Sequence, residues 1–123
     1  CMCLDDFLLK DIKKLNYIPV GLGSNNFSSD WLTDKSGDNI SSKNKYYGEH
    51  TFYYWFWKNM LPKMVDNAWI GFCGYRHHWS NNNQFKSDDI TKIVNKNNFS
   101  SFILKNSHDQ WKNYDIILGE DNE

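Results

Sequence analysis

Arg76 is the only arginine in the 123-residue chain, and it stands between Tyr75 and two histidines, His77 and His78. These residues follow the apolar run AWIGFC at 68–73, with Gly74 between. A guanidinium is a planar fork that can hold two phosphate oxygens at once, which the ammonium of lysine cannot do. A neighbouring histidine adds a second donor, or a proton near neutral pH. The same residues also fit a plainer account, an arginine paired with a surface carboxylate beside two half-exposed histidines.

A second polar cluster lies upstream, in SGDNISSKNKYYGEH at 36–50. Gly37 permits a tight turn, and Asp38, Asn39 and Ser41 offer short-range hydrogen bonds, so a turn followed by a cap accounts for them. The alternative is that Asp38 holds a ribose or sugar hydroxyl and Lys43 lies near a phosphate. Glu49 and His50 read either as helix surface or as a carboxylate–imidazole pair. For an acid or base catalyst the residue types supply only two guesses, His78 and Glu49.

Several function classes are excluded. Net charge is −1, and Lys10, Lys13 and Lys14 are interleaved with Asp5, Asp6 and Asp11, so the concentrated basic face of a nucleic-acid binder is missing. No Gly-x-Gly-x-x-Gly, Walker loop or Gly-x-Ser-x-Gly elbow occurs. No metal-ligand spacing is found either. His77 and His78 are adjacent, and neighbours on a strand point to opposite faces. Cys1 and Cys3 make half a metal site with no second pair. Three cysteines, an odd number, argue against a disulfide framework and for a reducing compartment. A first residue of Cys reads as a cut or processed chain, with no export signal to support a lipidated terminus. No apolar run approaches the ~20 residues of a membrane span, which leaves at most a peripheral membrane association.

The elements that must position these residues follow from periodicity. Leu4, Phe7, Leu8, Ile12 and Leu15 predict an amphipathic helix over 4–15, with Asp5 and Asp6 at the end that favours acids and Lys13 and Lys14 at the other. Tyr17–Leu22 predicts a short strand at a sheet edge or ending early, because Pro19 removes a ladder donor. Residues 23–39 read as a loop anchored by Trp31 and Leu32. Aromatics at helical spacing predict a helix over 46–59, apolar all round and so buried on most sides, with a strand as the competitor and a break at Pro62. Residues 68–73 suit a central strand covered on both faces. Asn81–Asn83 reads as loop, and Ser87 with Asp88 and Asp89 caps a short helix through Val94. Residues 99–104 are ambiguous, Ser107 caps a turn of helix through Trp111, and Tyr114–Leu118 is a last strand. Alternating helices and strands point to a layered α/β architecture.

GDNISSKN at 37–44, Glu49, Tyr54-Trp55, Trp57-Lys58-Asn59 and IGFCGYRHHWS at 70–80 together resemble the DUF4422 family of bacterial glycosyltransferases and glycosyltransferase-like domains of capsule and surface-polysaccharide clusters. Tyr17–Gly21 and Tyr114–Leu118 resemble its flanking segments, so the likeness spans roughly residues 17–119. The family pattern usually reads His-Tyr-Arg-Arg-Tyr-Phe after the strand. Here Gly74 replaces the His, His77 the second Arg and Trp79 an aromatic, whereas Tyr75 and Arg76 are retained. The Asp-x-Asp pair with which many sugar transferases hold a divalent ion is missing.

The resemblance implies a partial GT-A-like (Rossmann-like) layered sheet with flanking helices. It treats 1–123 as a single domain similar to the N-terminal, donor-side half of the family domain. It implies a nucleotide-diphosphate sugar donor and a glycan acceptor, in the cytoplasm or at the inner face of the membrane, with manganese or magnesium as the cofactor it would allow. The substrate-binding set it implies is Asp38, Asn39, Ser41, Lys43, Asn44, Tyr75, Arg76 and His77. Two readings from other classes compete. A non-catalytic carbohydrate-binding or interaction module would use the six Trp and seven Tyr to stack on sugar rings, and a structural subunit would bury them.

Overall fold

The computed structural model describes residues 1–80 and 97–119. The chain forms two compact units, Cys1–Arg76 and His77–Glu123.

In the first unit, β1 (Met2–Cys3), β2 (Val20–Gly21) and β3 (Leu32–Thr33) make a parallel sheet in the order β1-β2-β3. A parallel bridge between Met2 and Gly74 adds residues 73–75 on the other side of β1. There the Met2 N–H donates to the Cys73 carbonyl at 2.8 Å and the Tyr75 N–H to the Met2 carbonyl at 3.0 Å. Gly74, Met2, Val20 and Leu32 therefore share one row across the sheet. Beyond that ladder the chain leaves the strands, at Leu4, Leu22, Asp34 and the turn Tyr75–Arg76.

Side chains alternate between faces along a strand, and each face is closed by a helix. Met2, Val20 and Leu22 pack with Phe52 and Trp55 of α3 (His50–Asn59). Cys3 packs on the opposite face with Ile12 of α1 (Leu9–Lys14) and with Trp31. The protein is thus mixed α/β, with a small parallel sheet between helices. Lys13 and Lys14 occupy the last turn of α1, as the helix dipole favours. Asn16 stops it at φ 59°, a conformation asparagine tolerates better than most residues.

Several expectations need correction. Helix α1 begins at Leu9, and Leu4 and Phe7 are exposed, so the first turn of the expected helix does not form. Strand β2 is short, Val20–Gly21, as one of its two readings has it, but it is interior to the sheet rather than at an edge, because Pro19 precedes the ladder and contributes only its carbonyl, which accepts from Leu32 N–H at 2.9 Å. The loop anchor at Leu32 is itself a strand. The aromatic segment is helical, but it is split by Gly48 at φ 53° into α2 (Asn44–Tyr47) and α3. Helix α3 buries one side, Thr51, Phe52 and Trp55, while Trp57 is 55% exposed. The run 68–73 gains ladder bonds only from Cys73 onward, and Trp69 and Gly71 are exposed.

In the second unit, α4 (Phe99–Phe102) leads into an antiparallel bridge between Ile103 and Ser80, and the Leu104 N–H donates to the Trp79 carbonyl at 2.7 Å. The 3-10 turn Asp109–Asn113 is flanked by His108 rather than Ser107 and has no side-chain cap. No strand forms over 114–118, where Tyr114, Ile116 and Leu118 are exposed. The expected loop at 81–83 and helix at 87–94 lie outside the described residues.

Burial and the neighbouring Glu49 carboxylate, to which its hydroxyl donates at 3.3 Å, push the Tyr53 phenol up from 10.0 to about 12. Burial likewise pushes the Cys3 thiol up from 9.0 to about 11. The fold holds these protons more tightly than the unfolded chain, so stability falls as pH rises from about 9 to about 12. Urea unfolding followed by circular dichroism at pH 8 and pH 11 should show the loss, and Tyr53→Phe should make it smaller.

Candidate functional site

In a parallel sheet all the strands end on the same edge, and here the loops after β1, β2 and β3 are joined there. Asn25, after β2, donates through Nδ2 to the Leu4 carbonyl at 2.7 Å and to the Asp5 carboxylate at 3.1 Å, both after β1. Lys35, after β3, reaches the Asn25 carbonyl at 3.4 Å, and Asn39 Nδ2 reaches the Lys35 carbonyl at 3.4 Å. A line of polar contacts therefore runs along the edge from β1 to β3.

The turn at 36–39 is fastened to α3. Trp55 Nε1 donates to the Ser36 carbonyl at 2.8 Å. One turn later Asn59 Nδ2 donates to the Asp38 carbonyl at 2.8 Å, and Asn59 Oδ1 accepts from the Asp38 N–H at 3.2 Å. Gly37 sits at φ 59°, and a Cβ there would collide with Asn59 Oδ1. The Asp38 carboxylate accepts from the Tyr54 hydroxyl at 3.0 Å through Oδ1, a bond that holds the Tyr54 phenol above its usual range. Oδ2 of Asp38 carries no bond among the described residues.

The remaining polar residues of this stretch organise the backbone. Asn39 Oδ1 accepts from the Ser41 N–H and hydroxyl, at 3.2 and 2.9 Å. Asn44 Nδ2 donates to the Gly48 carbonyl at 2.8 Å and to Thr51 Oγ1 at 3.1 Å, across the break between α2 and α3. Lys43 is exposed. Of the two readings for Glu49 and His50, the helix-surface one holds, since both are exposed at the start of α3. Glu49 takes the Tyr53 hydroxyl, and the His50 ring lies edge-on to Tyr53 at 5.5 Å.

Arg76 is exposed at the end of the first unit, its guanidinium 5.2 Å from the Tyr75 ring, and no acidic group among the described residues lies within ion-pair range. His77, exposed, and His78, half-buried, open the second unit. Arg76 and the Asp38 turn leave the same edge from opposite ends of the strand row. Three interstrand steps of about 4.8 Å separate those strand ends by about 14 Å.

One residue escaped the sequence reading. Asp34, directly after β3, is 0% exposed, and neither carboxylate oxygen has a partner among the described residues. A buried carboxylate without donors is costly. Its signal in the sequence was an acid immediately following β-forming residues, which was hidden because 32–33 was read as loop.

Two variants separate these roles. Asn59→Ala removes both bonds to Asp38 and should cost about 1–3 kcal/mol, read as a lower urea midpoint. Asp34→Asn removes a buried charge and keeps the shape, so its midpoint should rise rather than fall. A drop as large as that of Asn59→Ala would make Asp34 a structural residue.

No curated protein and no solved structure matches the chain. The family comparison does: residues 6–123 fit the sequence profile of a domain of unknown function, DUF4422. With its motifs at 37–44, 54–59 and 70–80 all inside that span, the chain belongs to the DUF4422 family.

Proposed function

We propose that the chain carries the donor-binding region of a glycosyltransferase-type domain, which holds a nucleotide-diphosphate sugar for capsular or surface polysaccharide synthesis. The observation that carries this reading is the position of Arg76. From β1 the chain runs outward through β2 and β3, then returns past β1 to residues 73–75 on its other side. Ligands of open α/β sheets bind beyond the carboxyl ends of the strands at such a reversal. Arg76 lies one residue beyond it, exposed and without an acidic partner among the described residues.

On this reading the fold is a GT-A-like arrangement and Arg76 grips the diphosphate. As the sugar–phosphate bond breaks, negative charge grows on the leaving diphosphate, and a fixed guanidinium stabilises it. That is the task a divalent cation performs in many sugar transferases. Asp38 Oδ2 is open to a ribose or sugar hydroxyl, and the Asn39, Ser41 and Asn44 side chains keep its turn in shape. The donor is then a cytoplasmic nucleotide sugar, and the acceptor a growing glycan at the inner face of the membrane.

A second reading rests on Trp57, more than half exposed on α3, with Lys58 Nζ 3.7 Å from its ring centre. An exposed indole stacks on a sugar ring without any nucleotide, which describes a carbohydrate-binding module.

Thermal unfolding with UDP- and GDP-sugars, with and without manganese, tests the first reading. A donor at 100 times its dissociation constant should stabilise the chain by about 2.7 kcal/mol. Arg76→Ala should weaken donor binding by about 1.5–3 kcal/mol, the worth of a charged hydrogen bond, and leave the ligand-free midpoint unchanged. Stabilisation by glycans alone, abolished by Trp57→Ala and indifferent to Arg76→Ala, would favour the module instead.

A further inference from the structure

The cysteines, unused by the reading above, gather at one point of the first unit. Stepping the Met2–Gly74 register back by one residue sets Cys1 opposite Cys73 on adjacent parallel strands, and their sulfur atoms lie within 4.8 Å of each other. Both are half-buried and neither is bonded in a disulfide. Cys3 lies two residues along β1, on the same face, and is buried among Ile12 and Trp31.

Two chemistries suit a facing thiol pair. A disulfide joins Cα atoms about 4.4–6.8 Å apart, which the spacing of about 4.8 Å between neighbouring strands admits, but both thiols are free here. Two thiolate–metal bonds of about 2.3 Å set their sulfur atoms about 3.8 Å apart at a tetrahedral centre and up to about 4.6 Å apart at a linear one, both inside the 4.8 Å limit of this pair.

We propose that Cys1 and Cys73 form a two-thiolate site for a soft d10 cation of the copper(I) or zinc(II) class. Thiolates select such ions over hard, oxygen-seeking ones such as magnesium. A bound ion ties β1 to the segment that ends on Arg76, and so fixes the strand row at its reversal. Cys3, packed among apolar side chains, stays outside the ligand set.

The test is a competition with a chromophoric chelator, using the reduced chain under anaerobic conditions and copper(I) or zinc(II) alone as the probe. One equivalent should be withdrawn by the wild-type chain and by Cys3→Ser, and Cys1→Ser and Cys73→Ser should each lose more than about tenfold in affinity. Because a serine variant can unfold for its own reasons, a second readout uses only the wild-type chain. The ion should shield Cys1 and Cys73, located by peptide mapping, from iodoacetamide, and should raise the melting temperature. Failure to withdraw either ion, undiminished uptake by Cys1→Ser, or conversion of the pair to a disulfide by glutathione disulfide with no ion taken up would each overturn the proposal.

Discussion

The pairing of β1 on both of its sides is the constraint from which the first unit is built. Its strands are two residues long, so the ladder contributes few bonds, and burial of side chains on both faces must hold the sheet together. Phe52 and Trp55 supply that on one face, and Ile12 and Trp31 on the other. Each large side chain taken out of water is worth about 1.5–3 kcal/mol. The close fit extends to Gly21, where a Cβ would come within 2.6 Å of the Phe27 ring carbons. β2 therefore carries a glycine, despite its weakness as a strand former, because an aromatic ring lies directly over it.

Helix α3 does more than cover the sheet. Residues four apart on a helix lie on one face, and Thr51, Trp55 and Asn59 form such a column. Thr51 closes on the Gly48 carbonyl and receives Asn44, Trp55 holds Ser36, and Asn59 holds Asp38 at both backbone groups. The column is the seam between the helix and the loop that follows β3. Phe52 and Phe56, one position round, belong to the core. A single helix thus packs with one stripe and positions a loop with the next, which explains why aromatic and amide residues alternate so densely along 51–59.

How much of this was readable depended on whether a signal was local. The helical spacing of Phe52, Trp55 and Phe56 is local, and the segment is a helix despite the strand preference of its residues. The apolar run 68–73 was read as a central strand, but only residues 73–75 pair, on the outer side of β1. Strand β3 was not readable, since two residues set in a polar loop carry no periodicity. The interior position of β2 was missed for a different reason. Pro19 does lack an N–H, but it stands one residue before the ladder, where only a carbonyl is needed. In the polar stretch 37–44, turn-forming and ligand-holding roles demand the same residue types. Composition could not separate them.

Past the outermost strand ends lie the two charges that the fold leaves most conspicuously unanswered, Arg76 beyond Gly74 and Asp34 beyond β3. Three interstrand steps, about 14 Å, exceed the screening length of about 8 Å at physiological salt. They therefore do not neutralise each other, and each must be accounted for separately. Asp34 is the costlier, since it is buried with both oxygens unpaired among the described residues, whereas exposed Arg76 keeps its water.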